Sequence, residues 1–161
     1  MPINMVKLPT SRKDLYFRVA KGHFATSRSH TNYYIDITVQ KTRLSEATAL
    51  AQEFVEMYRY KAPVDTILCL DGTEVIGTCI ASEMTRMELA NMNLHQTVYI
   101  VTPEHTSGSQ LIFRENILPM IKGKNVLILA ASVVTGFTAR GAVEAVKYYD
   151  GNISGIAAVF S

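Results

Sequence analysis

The chain has no tryptophan, two cysteines and five prolines among its 161 residues, and its formal net charge is only +2. Two cysteines are too few for the disulfide framework of a small secreted domain. Neither Cys69 nor Cys79 stands at metal-ligand spacing to a histidine, and both fall in apolar segments, so they read as buried, reduced thiols. So small a net charge gives no bulk field for nucleic acid or an anionic membrane, and any anion site has to be local. Met1 to Lys13 lacks the apolar core of a signal peptide, and no apolar run reaches the roughly 18 residues of a spanning helix, so the expected location is cytoplasmic. Charged residues are 19% and hydrophobic residues 48%, a balance that excludes a disordered chain and predicts one core in a single domain over residues 1–161. Internal repeats and low-complexity segments are absent as well.

Two kinds of pattern remain. Ser11 to Asp14 has the spacing of a capping box, and with Leu15, Val19 and Ala20 it predicts a short helix ending at Gly22. Gly22 to Asn32 is polar and reads as a loop or irregular hairpin; Tyr33 to Val39 alternates as a strand does. Leu44, Ala47, Ala51, Val55 and Tyr58 recur on one helical face, and that helix ends before Pro63. From Asp65 onward the character changes. Short continuous apolar runs at Asp65–Leu70, Thr97–Val101, Lys124–Ala130 and Ile153–Phe160 alternate with helices at Thr73–Ala90 and Gly136–Tyr149. Buried parallel strands with crossover helices read this way. Thr102 to Arg114 has no sustained period and predicts a mobile loop. A Rossmann-like, mostly parallel α/β sheet flanked by helices follows, with ligands expected at the carboxyl ends of its strands.

The most informative stretch runs from Asn125 to Glu144: an apolar strand, a small polar turn and a helix start in immediate succession. Helix N-termini carry unpaired N–H groups and a positive dipole end, which suit a phosphate monoester. By pattern alone, Thr135-Gly-Phe-Thr138 is more often a plain turn and cap.

The same stretch resembles the phosphoribosyl diphosphate signature of type I phosphoribosyltransferases, in which four apolar strand residues lead into two acidic residues and then a Thr/Gly-rich phosphate loop. Val126–Leu129 match the strand and Thr135, Gly136, Phe137 and Thr138 match the loop that binds the 5′-phosphate, while Ala130 and Ala131 occupy the acidic positions. The resemblance implies that the missing pair would have held the ribose hydroxyls and favoured the oxocarbenium-like charge of the transition state. Gly22 to Asp36 is similar to the hood segment of the orotate branch, so residues 1–40 are expected to form a hood over a core of 41–161. Leu70 to Gly77 sits where the family has its diphosphate loop, which assigns Asp71, Gly72, Thr73 and Glu74 to that role; Asp71 is also a candidate helix cap. Arg140 falls near the family's base-binding arginine, although a solvated helix arginine is the plain alternative. The loop that supplies lysines in this branch has none here: Thr102 to Gln110 offers Glu104 and His105 instead.

What the resemblance implies is therefore an orotate phosphoribosyltransferase-like protein that binds a phosphorylated ribose, a nucleotide or phosphoribosyl diphosphate with weak or no transfer. An active enzyme of pyrimidine nucleotide synthesis, using magnesium and phosphoribosyl diphosphate, is the alternative; a dimeric scaffold is the third. No residue set is assigned to a metal, no catalytic residue is assigned, and the expected partners are a small phosphorylated ligand and a second copy of the chain. The chain also stops after the Ile153–Phe160 strand, where orotate enzymes continue, so a shortened version of the fold is expected.

Overall fold

The structure, a computed structural model, describes residues 3–26, 29–58, 62–90, 97–105 and 110–161. The chain opens with an antiparallel sheet in the order β1 (Val6–Pro9), β2 (Tyr16–Ala25), β3 (His30–Asp36). The helix expected from Ser11 to Gly22 is not formed. Val19 lies opposite Val6 on one side and Ile35 on the other, so lateral pairing of a segment rich in aromatic and β-branched side chains overrides the local capping signal. The Ser11–Asp14 spacing serves a turn instead: the Thr10 hydroxyl donates to the Leu15 carbonyl at 2.7 Å, and Arg12 pairs with Asp14 at 2.7 Å. The polar Gly22–Asn32 segment becomes the irregular hairpin, with a break in register between Lys21 and Phe24. The third strand starts earlier than its alternation suggests and yields at Thr38 to a short helix, α1 (Thr38–Thr42).

Helix α2 (Leu44–Tyr58) follows, then β4 (Thr66–Cys69), α3 (Glu74–Ala90), β5 (Tyr99–Val101), β6 (Glu104–His105), β7 (Leu111–Ile112), a 3-10 turn at Leu118–Met120, β8 (Asn125–Ser132), α4 (Phe137–Tyr148) and β9 (Asn152–Phe160). Four of these strands form a parallel sheet in the order β5-β4-β8-β9. Alternation along the two central strands sorts the core into two layers. Ile67, Cys69, Leu127 and Leu129 face Ala47, Ala51 and Val55 of α2 and Ile76 and Ile80 of α3. Leu68, Val126, Ile128 and Ala130 face Ala142 and Val146 of α4, together with Phe113 and Ile121. Burial of both sheet faces explains why these strands are continuous apolar runs in the sequence. At the amino ends, the Asp65 carboxylate accepts from the Asn125 backbone and side-chain N–H groups, both at 2.8 Å, and ties β4 to β8.

Instead of irregular chain throughout Thr102–Arg114, the structure has β6 paired antiparallel with β7, with Glu104 and Arg114 joined as an ion pair. Leu111 and Phe113 are buried, which anchors the returning strand to the core. Residues 106–109 lie outside the described residues.

Both cysteines are free and buried. Burial pushes the Cys69 thiol up to about 12; the Thr73 hydrogen bond opposes this and the Glu74 charge adds to it. A raised folded-state value means that the stability gained by keeping this thiol neutral is whole below the unfolded value of about 8.5 and is lost as pH rises through the folded one. Cys69 is therefore expected to resist iodoacetamide at about pH 8 in the folded protein and to alkylate promptly once the chain is unfolded in urea. Mass spectrometry of the labelled peptide reads the difference.

Candidate functional site

The carboxyl ends of β4 and β8 open into a cavity of about 640 Å³. Its size is that of a small-molecule pocket, roughly 300–1,000 Å³. Asp71 comes from the end of β4, Ala130 and Ala131 from β8, and the turn from Ser132 to Thr138 forms one wall. The hood closes the other side with Tyr34 and Asp36 of β3 and with Thr38 and Lys41 of α1.

The β8–α4 turn leads straight from the strand end into the first turn of the helix. Gly136 precedes the helix at φ 74° and ψ −1°, a left-handed conformation that a side chain resists, and it supplies no side-chain cap. The Thr135 hydroxyl accepts from the Phe137 N–H at a long 3.5 Å. Ala139, Ala142, Ala145 and Val146 hold the helix against the sheet, while Thr135, Phe137 and Thr138 remain exposed at its first turn. First-turn N–H groups have no intrahelical acceptor, and the helix dipole places partial positive charge there. Together these make the end of α4 the part of the cavity best suited to an anion.

The structure thus brings Thr135, Gly136, Phe137, Thr138, Asp71, Ala130 and Ala131 to one cavity. The rest of the assigned diphosphate turn is used differently. Thr73 is fully buried and its hydroxyl donates to the carbonyls of Leu70 at 2.8 Å and Leu129 at 3.2 Å, locking the turn to both central strands. Gly72 and Glu74 do not line the cavity either. Asp71 has φ 56°, and its carboxylate caps nothing among the described residues. Arg140 does not line the cavity: its side chain is 82% exposed, and its Nε donates to Glu144 Oε1 at 3.0 Å one turn along the helix. Spacing of four residues on a helix favours that ion pair, so the sequence already contained the competing signal. Within the hood segment, Ser27 and Arg28 lie outside the described residues.

Sequence reasoning missed the contribution of α1. The Thr38 side chain and then the Thr38 N–H, which donates to Asp36 Oδ1 at 3.0 Å, hold the Asp36 carboxyl below the usual carboxylate range against its partial burial, with the charge of Arg18 assisting. This local bond fixes where α1 begins and hence where Thr38 and Lys41 point. No helix of the described residues is long and apolar enough to cross a membrane, and they contain no cluster of three or more potential metal ligands.

A helix-flanked parallel sheet with its cavity at the strand ends is the fold of type I phosphoribosyltransferases, and solved structures of that class superpose on this chain. No protein-family model and no curated protein sequence matches it. The orotate phosphoribosyltransferase of Mycobacterium tuberculosis H37Rv is similar at a TM-score of 0.56 and 18% identity, over 87% of this chain and 75% of the other. UMP synthase of Leishmania donovani gives a TM-score of 0.63 and 20% identity over 87% of this chain, which spans only 28% of that larger protein. The adenine enzyme of Saccharomyces cerevisiae gives 0.57 and 16% over 86% of this chain and 82% of its own.

Proposed function

We propose that the protein binds a phosphorylated ribose, as the free sugar phosphate, a nucleotide or phosphoribosyl diphosphate, and transfers it weakly or not at all. The phosphate sits on the α4 N-terminus between Thr135 and Thr138, and the sugar lies toward the ends of β4 and β8. The observation that carries this reading is the cavity itself, in which the exposed first turn of α4 shares a wall with two alanines at the end of β8.

Phosphate recognition rests largely on backbone amides and survives side-chain change. Transition-state stabilisation does not: one charge-stabilising contact is worth about 3–4 kcal/mol, or a hundred- to thousandfold in rate. Methyl groups at Ala130 and Ala131, with no lysine in the segment before Gln110, leave little to stabilise a developing oxocarbenium charge.

One observation favours an active magnesium-dependent orotate-type enzyme as the second reading. Asp36 and Asp71 bring two carboxylates to the same cavity from other elements. Magnesium bound mainly through substrate phosphates needs only one or two carboxylates. Asp71 fits that role through water, and the ion would neutralise diphosphate charge. A homodimer belongs to the same proposal, with the apolar hood surface on which Val6 and Leu8 are exposed as its shared face.

Calorimetric titration with phosphoribosyl diphosphate, with and without magnesium, followed by an orotate-consumption assay separates the readings. Saturable binding without turnover is expected. Robust turnover would overturn the binding-only reading in favour of the enzyme, and absence of both binding and turnover would leave the dimeric scaffold.

A further inference from the structure

Two imidazoles face each other on the hood. His30 Nδ1 stands 3.0 Å from His23 Nε2, the ring centroids are 5.0 Å apart, and the ring planes are tilted by 31°. Both residues are exposed and neither lines the cavity, so the pair serves neither the core nor the phosphate site.

A local irregularity of the backbone brings them together. Lys21 pairs with Tyr33 and Phe24 with Thr31, so Gly22 and His23 stand against Asn32 alone, a bulge of one extra residue in β2. Glycine suits the bulge, because a Cβ on Gly22 would lie 3.1 Å from two ring carbons of Phe24. Beyond it Ala25 pairs with His30, and His23, two residues back along the same strand, shares their face of the hairpin. Without the extra residue His23 would turn to the opposite face. The tip is tied as well: the Thr26 N–H donates to the Ser29 carbonyl at 2.8 Å, and the Ser29 N–H donates to Thr26 Oγ1 at 3.0 Å.

We propose that His23 and His30 form a two-nitrogen site for a divalent copper or nickel ion, which clamps β2 to β3. An ion about 2.0–2.1 Å from each nitrogen, the usual metal–imidazole range, subtends about 95° across the 3.0 Å gap. That is the angle between neighbouring ligands in square-planar or tetragonal coordination, the geometry of copper(II) and nickel(II); tetrahedral zinc(II) needs its nitrogens further apart. One ring now donates its N–H to the other. Metal binding moves that proton to the donor ring's remaining nitrogen, so two neutral imidazoles present two lone pairs and no net proton is released. Water fills the other positions. Since Thr26 and Ser29 of the same hairpin line the cavity, the clamp steadies one of its walls.

The test is calorimetric titration with copper(II), nickel(II) and zinc(II) chlorides in a non-coordinating buffer, on wild type, His23→Gln, His30→Gln and the double variant. One copper ion per chain is expected in wild type, held more tightly than nickel or zinc, with an electron paramagnetic resonance spectrum that shows two imidazole nitrogens. Each single variant should weaken copper binding by at least about tenfold, and the double variant by little more than either, because one ring alone does not chelate. Both positions are exposed, so the metal-free variants should melt at the wild-type temperature. Copper binding undiminished in the double variant or in either single one would overturn the proposal. So would a wild-type spectrum with one nitrogen, zinc held more tightly than copper, or no copper binding at all.

Discussion

Thr138→Asp is expected to weaken ribose 5-phosphate binding by about ten- to a hundredfold while leaving the fold as stable as before or slightly more so. Thr138 is exposed in the first turn of α4 and lines the cavity. A carboxylate there competes with the phosphate for the same partial positive charge and repels it directly. Two unit charges about 4 Å apart interact by about 4 kcal/mol at an effective dielectric of 20, and solvent at an exposed position cuts that to about 1–3 kcal/mol. The same carboxylate interacts favourably with the helix dipole, worth about 0.3–1 kcal/mol. Binding and stability therefore move in opposite directions. Calorimetry and a melting curve on one sample check both, with Thr138→Asn as the neutral control. A parallel fall in both would mean that the turn had been disrupted, and unchanged affinity would move the phosphate away from α4.

Leu127→Ala is expected to cost about 2–5 kcal/mol of unfolding free energy, the range for a buried leucine whose surroundings cannot collapse into the space. Leu127 is 0% exposed in the middle of β8, paired with Ile67 on one side and Gly155 on the other. Hydrogen-bonded strands on both flanks keep the backbone from closing over the cavity left behind. Urea titration should show a lower midpoint with an unchanged slope. Since domains of this size are stable by only about 5–15 kcal/mol, the loss is a large share of the whole. The folded fraction should still bind ligand, because the cavity begins three residues further along the strand, at Ala130.

The parallel half of the fold was legible because burial on both faces leaves a strong trace. Val126 to Leu129 form an unbroken apolar run, and the α2 face repeats through Ala47, Ala51 and Val55 at helical spacing. The hood was less legible. Ser11 to Asp14 carries the residue types of a helix start, and only the pairing of Val19 with Val6 and Ile35, distant in sequence, makes the following residues a strand. The site divides in the same way. Thr135–Thr138 follow their own strand and could be found by local pattern, whereas Lys41 belongs to a short helix whose position depends on Gln40 reaching Tyr16. No local signal connects residue 41 with the cavity it lines. Arg140 shows the converse: a chemically suitable residue near the candidate segment is paired with Glu144, four residues on.

One feature of the cavity bears on how the protein holds together. Its walls come from chain on either side of residue 42: β3 and α1 before it, the ends of β4 and β8 after it. A ligand seated there bridges two sheets that share no strand. Whatever occupies the cavity stabilises the closed arrangement of hood and core as a single unit, by about 2.7 kcal/mol at a free concentration a hundred times its dissociation constant. Ligand supply in the cell would then govern the lifetime of the protein as well as its occupancy, with the empty chain the readier target for proteolysis.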